Sequence, residues 1–180
     1  MPRLMIKWLV VVCWFFLVVG ISFGADSDRD QPISIEADRV DVDDVKGVSI
    51  YSGDVVLRQG SMELIADKLI LKVSEQRELV SVKAQGSPAR FKQFNDPVNG
   101  EVHGHAKEIT YDVKDEYMLF VGEAYLWQCG DEVSGNQVEY FGSQALVKAK
   151  KAEDGQGRVQ VILQPKDQGK AKDCSSQGAR

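Results

Sequence analysis

The chain has 180 residues, of which 43% are hydrophobic and 27% charged, and a formal net charge of -5. That length suits one globular domain rather than two, and the acidic balance argues against a nucleic-acid binder, which displays a basic stripe. Neither composition nor charge points to an enzyme.

The first residues read as a targeting device. Arg3 and Lys7 form a short basic region, Trp8 to Val19 is almost purely apolar, and Ser22-Phe23-Gly24 offers small residues where a signal peptidase reads them. The expectation is a signal peptide over 1–24, cleaved after Gly24, with export across a membrane. The rival reading keeps the segment as a membrane anchor, although an apolar run from Trp8 to Phe23 is short for a span.

Asp26 to Gln31 is polar and patternless and predicts a disordered lead-in. From Ile33 the period is two: Ile33 and Ile35 oppose Ser34 and Glu36, and Val40 and Val42 alternate with Asp41 and Asp43, as on a strand with one dry face. Asp43 to Gly47 predicts a turn into Val48–Tyr51, Gly53-Asp54 a bulge or bend, and Gln59-Gly60-Ser61 the next turn. Met62–Val73 repeats the scheme, Glu75 to Glu78 turns the chain, and Leu79–Ala84 follows. Gly86 and Pro88 are expected to break that strand before another begins at Phe91. Gln93 to Gly100 predicts a long polar loop.

Beyond it come Val102–Val113, a turn at Lys114-Asp115-Glu116, Tyr117–Val121, Glu123–Cys129, a turn at Gly130-Asp131, Glu132–Phe141, Gln144–Lys150 and a last strand within Arg158–Gln164, stopped by Pro165. No stretch holds helical spacing over three turns, so the protein reads as all β. Lys166 to Arg180 predicts a flexible tail. The folded domain is therefore expected over 25–165, with the tail over 166–180.

The strands are copies. Gly53, Asp54, Val55, Leu57 and Gln59 recur 69 residues later as Gly122, Glu123, Ala124, Leu126 and Gln128, and Val40 and Val42 as Ile109 and Tyr111. A spacing of 29 inside each copy turns Val40 and Val42 into Leu69 and Leu71, and Ile109 and Tyr111 into Val138 and Tyr140. Units repeated at a fixed period stack, because none buries its apolar face alone.

Candidate chemistry is sparse. His103-Gly104-His105 places two imidazoles on one side of a strand, a metal pair that lacks a third histidine; the plainer reading is two surface residues. Asp43-Asp44 and Asp115-Glu116 fall in turns, where carboxylates are solvated. Cys129 has no nucleophile signature around it. Cys129 and Cys174 permit one disulfide, or remain two thiols. What remains is the dry face: either the facing side chains fill a core, or the faces stand apart and line a slot for acyl chains. The pattern leaves both open.

Five segments, in order, carry a resemblance: Gln31-Pro32-Ile33-Ser34-Ile35-Glu36-Ala37-Asp38, Tyr51-Ser52-Gly53-Asp54-Val55, Ile65-Ala66-Asp67-Lys68, Gly86-Ser87-Pro88-Ala89-Arg90-Phe91 and Val102-His103-Gly104-His105-Ala106. Together they resemble the OstA-like family of lipopolysaccharide-transport proteins, over about Gln31 to Pro165. The resemblance implies an open, twisted β-jellyroll of stacked antiparallel strands without substantial helix, which carries lipopolysaccharide through the periplasm with no catalytic group and no cofactor. It implies acyl chains inside the groove, with Ile33, Ile35, Phe91, Ile109, Tyr111 and Val113 at the matching lipid-contact positions. It also implies partners joined edge to edge: further copies of the chain, LptC with the LptBFG transporter at the inner membrane, and the N-terminal domain of LptD, in the LptDE complex, at the outer membrane. Cys129 and Cys174 depart from the family pattern. The long apolar leader also fits the membrane-anchored relative LptC, which shares the fold, and an LptC-like assembly factor is the alternative.

Overall fold

The computed structural model describes residues 28–96, 100–144, 146–153, 155, 157–165 and 174. The expected signal segment, the possible anchor, and the expected tail apart from Cys174 lie outside them. The described residues form one ten-stranded antiparallel sheet. Its strands are β1 (Ile33–Glu36), β2 (Arg39–Asp43), β3 (Val48–Gln59), β4 (Met62–Val73), β5 (Leu79–Asp96), β6 (Gly100–Asp112), β7 (Tyr117–Gln128), β8 (Asp131–Phe141), β9 (Leu146–Lys150) and β10 (Gln160–Ile162). Strands β3 to β8 pair in sequence order. The edges are split: β1 and β2 share the free side of β3, and β9 and β10 share the free side of β8. No helix among the described residues is long and apolar enough to cross a membrane.

One irregularity organises the sheet. Every ladder from β3 to β8 shifts register at the same level, at Ser52/Val55, Ile65/Lys68, Gln85/Ala89, His105/Glu108 and Val121/Ala124. An extra residue bends a strand and increases its twist, so a shift shared by all of them folds the sheet along one line. Gly53-Asp54 sits on that line with φ of 81° and 42°, and its copy Gly122-Glu123 has 81° and 52°. The bulge predicted at Gly53 is therefore present, and the repeat reproduces it. A glycine leads both pairs because left-handed φ costs glycine nothing.

The bend explains which residues are inside. On β4, Met62, Leu64 and Ala66 point inward; beyond the line, Leu69 and Leu71 do. The same slip of one residue separates Val102 and Ala106 from Ile109 on β6. Both halves feed a single cluster that includes Val55, Leu57, Phe91, Phe120, Leu126 and Val138. Since one sheet supplies the whole core and has only itself as cover, it folds over its own apolar face while remaining open, with no pairing between its two edges among the described residues.

Several expectations need correction. Gly86 and Pro88 do not end a strand: β5 runs on to Asp96, and pairing resumes at Ala89. The polar loop from Gln93 contracts, because Gln93, Phe94 and Asp96 still pair with Val102, Glu101 and Gly100; residues 97–99 lie outside the described ones. The lead-in carries a single 3-10 turn, Asp28–Asp30. Its Asp28 carboxylate accepts from the Ser61 amide (2.8 Å), the Ser61 hydroxyl (2.6 Å) and the Gln93 side-chain amide (3.1 Å), which ties the chain start to the β3–β4 turn. Of the two options for the cysteines, Cys129 and Cys174 are bonded. Cys174 lies against Gly100, where a side chain would collide with the Cys174 Cβ. The last strand is shorter than predicted, and Val159, Val161, Ile162 and Leu163 are exposed.

Candidate functional site

The apolar face is continuous but unevenly covered. In its middle, Phe91 is 2% exposed and Ile109 1%, and the Phe91 ring meets Phe120 edge-on with centroids 6.3 Å apart. Gly104 lies between Phe91 and Leu126 in the register, and a Cβ there would stand 2.5 Å from the Tyr125 carbonyl oxygen and 3.0 Å from Phe120 Cε1. A missing side chain on β6 thus lets the aromatic rings lie over the strand. Tyr111 is half-buried and packs against the same cluster.

At the N-terminal end the face runs out of cover. Ile35 pairs with Leu57 and packs on the cluster, whereas Ile33, opposite Gln59, is 37% exposed. Val40 and Val42 pair with Tyr51 and Ser49 and are 50% and 59% exposed. Cross-strand partners share a face, so Val40 lies on the same side as the core-packed Tyr51. At the C-terminal end Val161 pairs with Val133, which packs on the cluster, yet Val161 is 53% exposed. The structure is a core in the middle and an uncovered apolar margin at each end.

The six predicted contact residues therefore separate into groups. Ile33 and Ile35 stand at the N-terminal margin, Phe91 and Ile109 are packed inside, and Tyr111 is at the side of the core. Val113 lies just beyond β6, half-buried, its amide donating to the Val80 carbonyl at 3.1 Å. Val40, Val42, Val159 and Val161 were not singled out as contacts. The repeat carried the signal for two of them, since Val40 and Val42 copy the buried Leu69 and Leu71 but stand on the edge strand β2, which pairs with β3 alone.

The outer face is polar and aromatic. His103 stacks on Trp127 at 4.6 Å and His105 on Tyr125 at 5.0 Å, and His103 Nδ1 lies 3.1 Å from Glu101 Oε1. Both imidazoles of the candidate metal pair are thus engaged in cross-strand stacks, and no group of three or more potential ligands occurs among the described residues. Burial, then Arg90 and His103, lowers the His105 pKa.

At both edges the strands have no strand partner on their outer side among the described residues. On the N-terminal edge, β1 and β2 carry Glu36, Asp41 and Asp43 against Arg39, while on the C-terminal edge β9 carries Lys148 and Lys150 and no acid. All three acids and Lys150 already have partners: Asp41 with Arg39 at 2.8 Å, Asp43 with Lys46 at 2.8 Å, Glu36 with Arg58 at 3.2 Å and Lys150 with Glu139 at 3.1 Å. An open strand edge templates pairing with another chain.

Residues 34–145 match the family model described as the LptA/(LptD N-terminal domain) LPS transport protein. The chain is 30% identical to the lipopolysaccharide export system protein LptH of Pseudomonas aeruginosa over 152 residues, which is 82% of this chain and 87% of LptH. It is 33% identical to the lipopolysaccharide export system protein LptA of Escherichia coli K12 over 150 residues, 80% of this chain and 77% of LptA. Among solved structures it resembles the crystal structure of the Pseudomonas aeruginosa LptH, described as the LptA-homologous periplasmic component of the conserved lipopolysaccharide transport device. The TM-score is 0.70 at 30% identity, covering 78% of this chain and all of that one.

Proposed function

We propose a function from one premise: the chain belongs to the LptA/LptD N-terminal domain family of lipopolysaccharide transport proteins. It is a periplasmic lipopolysaccharide carrier. It shields the acyl chains of the lipid on the inner face of the sheet and passes them along a bridge from the inner to the outer membrane. The observation that carries this reading is the apolar margin left uncovered at both ends of an otherwise closed core, at Val40 and Val42 and at Val161.

The energetics suit a carrier. Each acyl methylene taken from water onto such a face contributes about 0.8 kcal/mol, so a lipid with several chains is held firmly through contacts that are individually weak. A chain lying over Ile33, Ile35 and Val40 stays on the margin. To reach Phe91 and Ile109 it must part the bent halves of the sheet and replace their mutual contacts with its own. That exchange of one apolar partner for another costs little once both are in place, which allows passage without a catalytic step.

The bridge is built from strand edges. The acidic β1–β2 edge of one copy pairs with the Lys148 and Lys150 edge of the next, so that the inner faces run on from copy to copy. LptC, with the LptBFG transporter, takes one end and the N-terminal domain of LptD the other by the same pairing. Residues 1–24 act as a cleaved export signal. An LptC-like anchored factor is not favoured, because the curated relatives that match over most of the chain are LptA and LptH proteins.

The test is native mass spectrometry of the protein purified from periplasm and then mixed with lipopolysaccharide. A stoichiometric lipopolysaccharide adduct supports the reading. A chain that stays free of lipid at micromolar lipopolysaccharide refutes it.

A further inference from the structure

Where the C-terminal edge splits, the sheet has a slot. Strand β9 pairs with β8 from Gln137 onward and β10 up to Ser134, so Gly135 and Asn136 have no ladder partner in either, although a Cβ on Gly135 would stand 3.0 Å from the Lys150 carbonyl oxygen. Lys151, Ala152, Gly157 and Arg158, between the two edge strands, complete the lining of an open groove of about 480 Å3. Ala124, an inner-face residue, and Tyr125, an outer-face one, both line it, and a Cβ on Gly135 would stand 3.5 Å from the Val159 methyl. An amphiphile whose chains lie along Val159 and Val161 has this groove beside them for its polar part.

The lining is suited to a saccharide that bears negative charge. The Tyr125 ring, stacked on His105, supplies an aromatic surface. Ser134 and Asn136 supply a hydroxyl and an amide, and the exposed Lys151 and Arg158 complete the same lining. Among the described residues neither Lys151 nor Arg158 has an acidic partner. The one carboxylate in the lining, Glu123, is held by Lys107 at 2.6 Å outside the groove, so the two cations are not neutralised from within. In a chain of net charge -5, two unanswered cations beside an aromatic ring and two neutral hydrogen-bonding side chains are a selective arrangement.

We propose that this groove binds an anionic saccharide, the polar part of the lipid whose acyl chains lie on the inner face, and so fixes the point along the carrier where the head leaves the sheet. The inference rests on the carrier reading above. Its test is an amide NMR titration of the full chain with the oligosaccharide obtained by complete deacylation of lipopolysaccharide. Sodium phosphate and a neutral maltooligosaccharide serve as control probes. The expected result is shifts centred on Tyr125, Ser134, Asn136, Lys151 and Arg158, with millimolar affinity that weakens about tenfold or more in the Lys151→Ala/Arg158→Ala variant. Intact lipopolysaccharide should still bind that variant through its chains.

Absence of shifts with the oligosaccharide overturns the proposal, as do equal shifts with phosphate alone, equal shifts with the neutral sugar, or an unchanged variant. If the oligosaccharide fails while intact lipopolysaccharide binds, only this site falls. If intact lipopolysaccharide also fails, the carrier reading falls with it.

Discussion

Replacing Phe91 by alanine separates a packed core from a ligand groove. The ring is 2% exposed and meets Phe120 at 6.3 Å in an edge-on pair, with Gly104 beneath it leaving no side chain to collapse into the space. Truncating a buried phenylalanine costs about 3–5 kcal/mol, of which the aromatic pair accounts for about 0.5–1.5 kcal/mol beyond its area. Val40, half exposed on the same face, is the control: Val40→Ala should change stability by less than about 0.5 kcal/mol. Urea unfolding of the lipid-free protein, followed by tryptophan fluorescence and circular dichroism, measures both. Phe91→Ala is expected to lower the midpoint strongly, whereas Val40→Ala leaves the midpoint in place and reduces lipopolysaccharide capture. A loss below about 1 kcal/mol for Phe91→Ala would mean that the middle of the inner face is open without lipid, and the distinction between core and margin would be wrong.

Other outcomes follow from the same geometry. The Cys129–Cys174 bond closes a loop with a sequence separation of 45 that holds β8, β9 and β10, and loop entropy of that length is worth about 4 kcal/mol. Reduction, or Cys129→Ala with Cys174→Ala, should lower the urea midpoint accordingly and speed amide exchange in β10 first; unchanged exchange there would contradict it. The Asp28 carboxyl loses solvation, but hydrogen bonds from the Ser61 hydroxyl, the Ser61 amide and Gln93 outweigh that and hold its pKa below the ordinary value. Its folded pKa being the lower one, its stabilisation is complete above the unfolded value of about 3.9 and is lost as pH falls through the folded one. The stability gap between wild type and Asp28→Asn should therefore be full at neutral pH and close in acid, and a gap independent of pH would refute it. Gly104→Ala drives a methyl toward the Tyr125 carbonyl, a backbone atom that cannot swing aside, and should destabilise by about 1–3 kcal/mol as overpacking does; thermal unfolding reads it.

Much of this architecture was legible in the residues. Alternation gave the strands, and the copy of Gly53-Asp54 at Gly122-Glu123 marked the bend twice. The bends on β4, β6 and β8 had a subtler mark: a small residue, two polar ones and a large apolar one, in Ala66-Asp67-Lys68-Leu69, Ala106-Lys107-Glu108-Ile109 and Gly135-Asn136-Gln137-Val138. Each holds two outward residues where strict alternation allows one. The supposed break at Gly86 and Pro88 and the supposed loop at Gln93 failed for a shared reason. Backbone pairing does not depend on side-chain polarity when both neighbouring strands are present, and a proline is tolerated at a bulge where the ladder is already interrupted.

The division between Ile33, at the margin, and Ile109, in the core, was not legible. Both alternate correctly, and exposure depends on how many strands lie beyond each one. Asp28 was hidden for a related reason: it acts through a partner far along the chain, Ser61, and local composition carries no trace of such a contact. The Cys129–Cys174 bond was one of the two options that the cysteine count left open. The two anchors fall at equivalent hairpin turns of the repeat, β3–β4 and β7–β8.

The most direct measurement is photo-crosslinking in living cells with a reactive side chain at Val40, at Ile35, at Tyr111 and, as an outer-face control, at Lys83. A carrier whose lipid enters by the uncovered margin and runs inward predicts lipopolysaccharide adducts at Val40, Ile35 and Tyr111 and none at Lys83. Adducts at Lys83 alone, or at none of the four positions while the protein supports outer-membrane assembly, would contradict it.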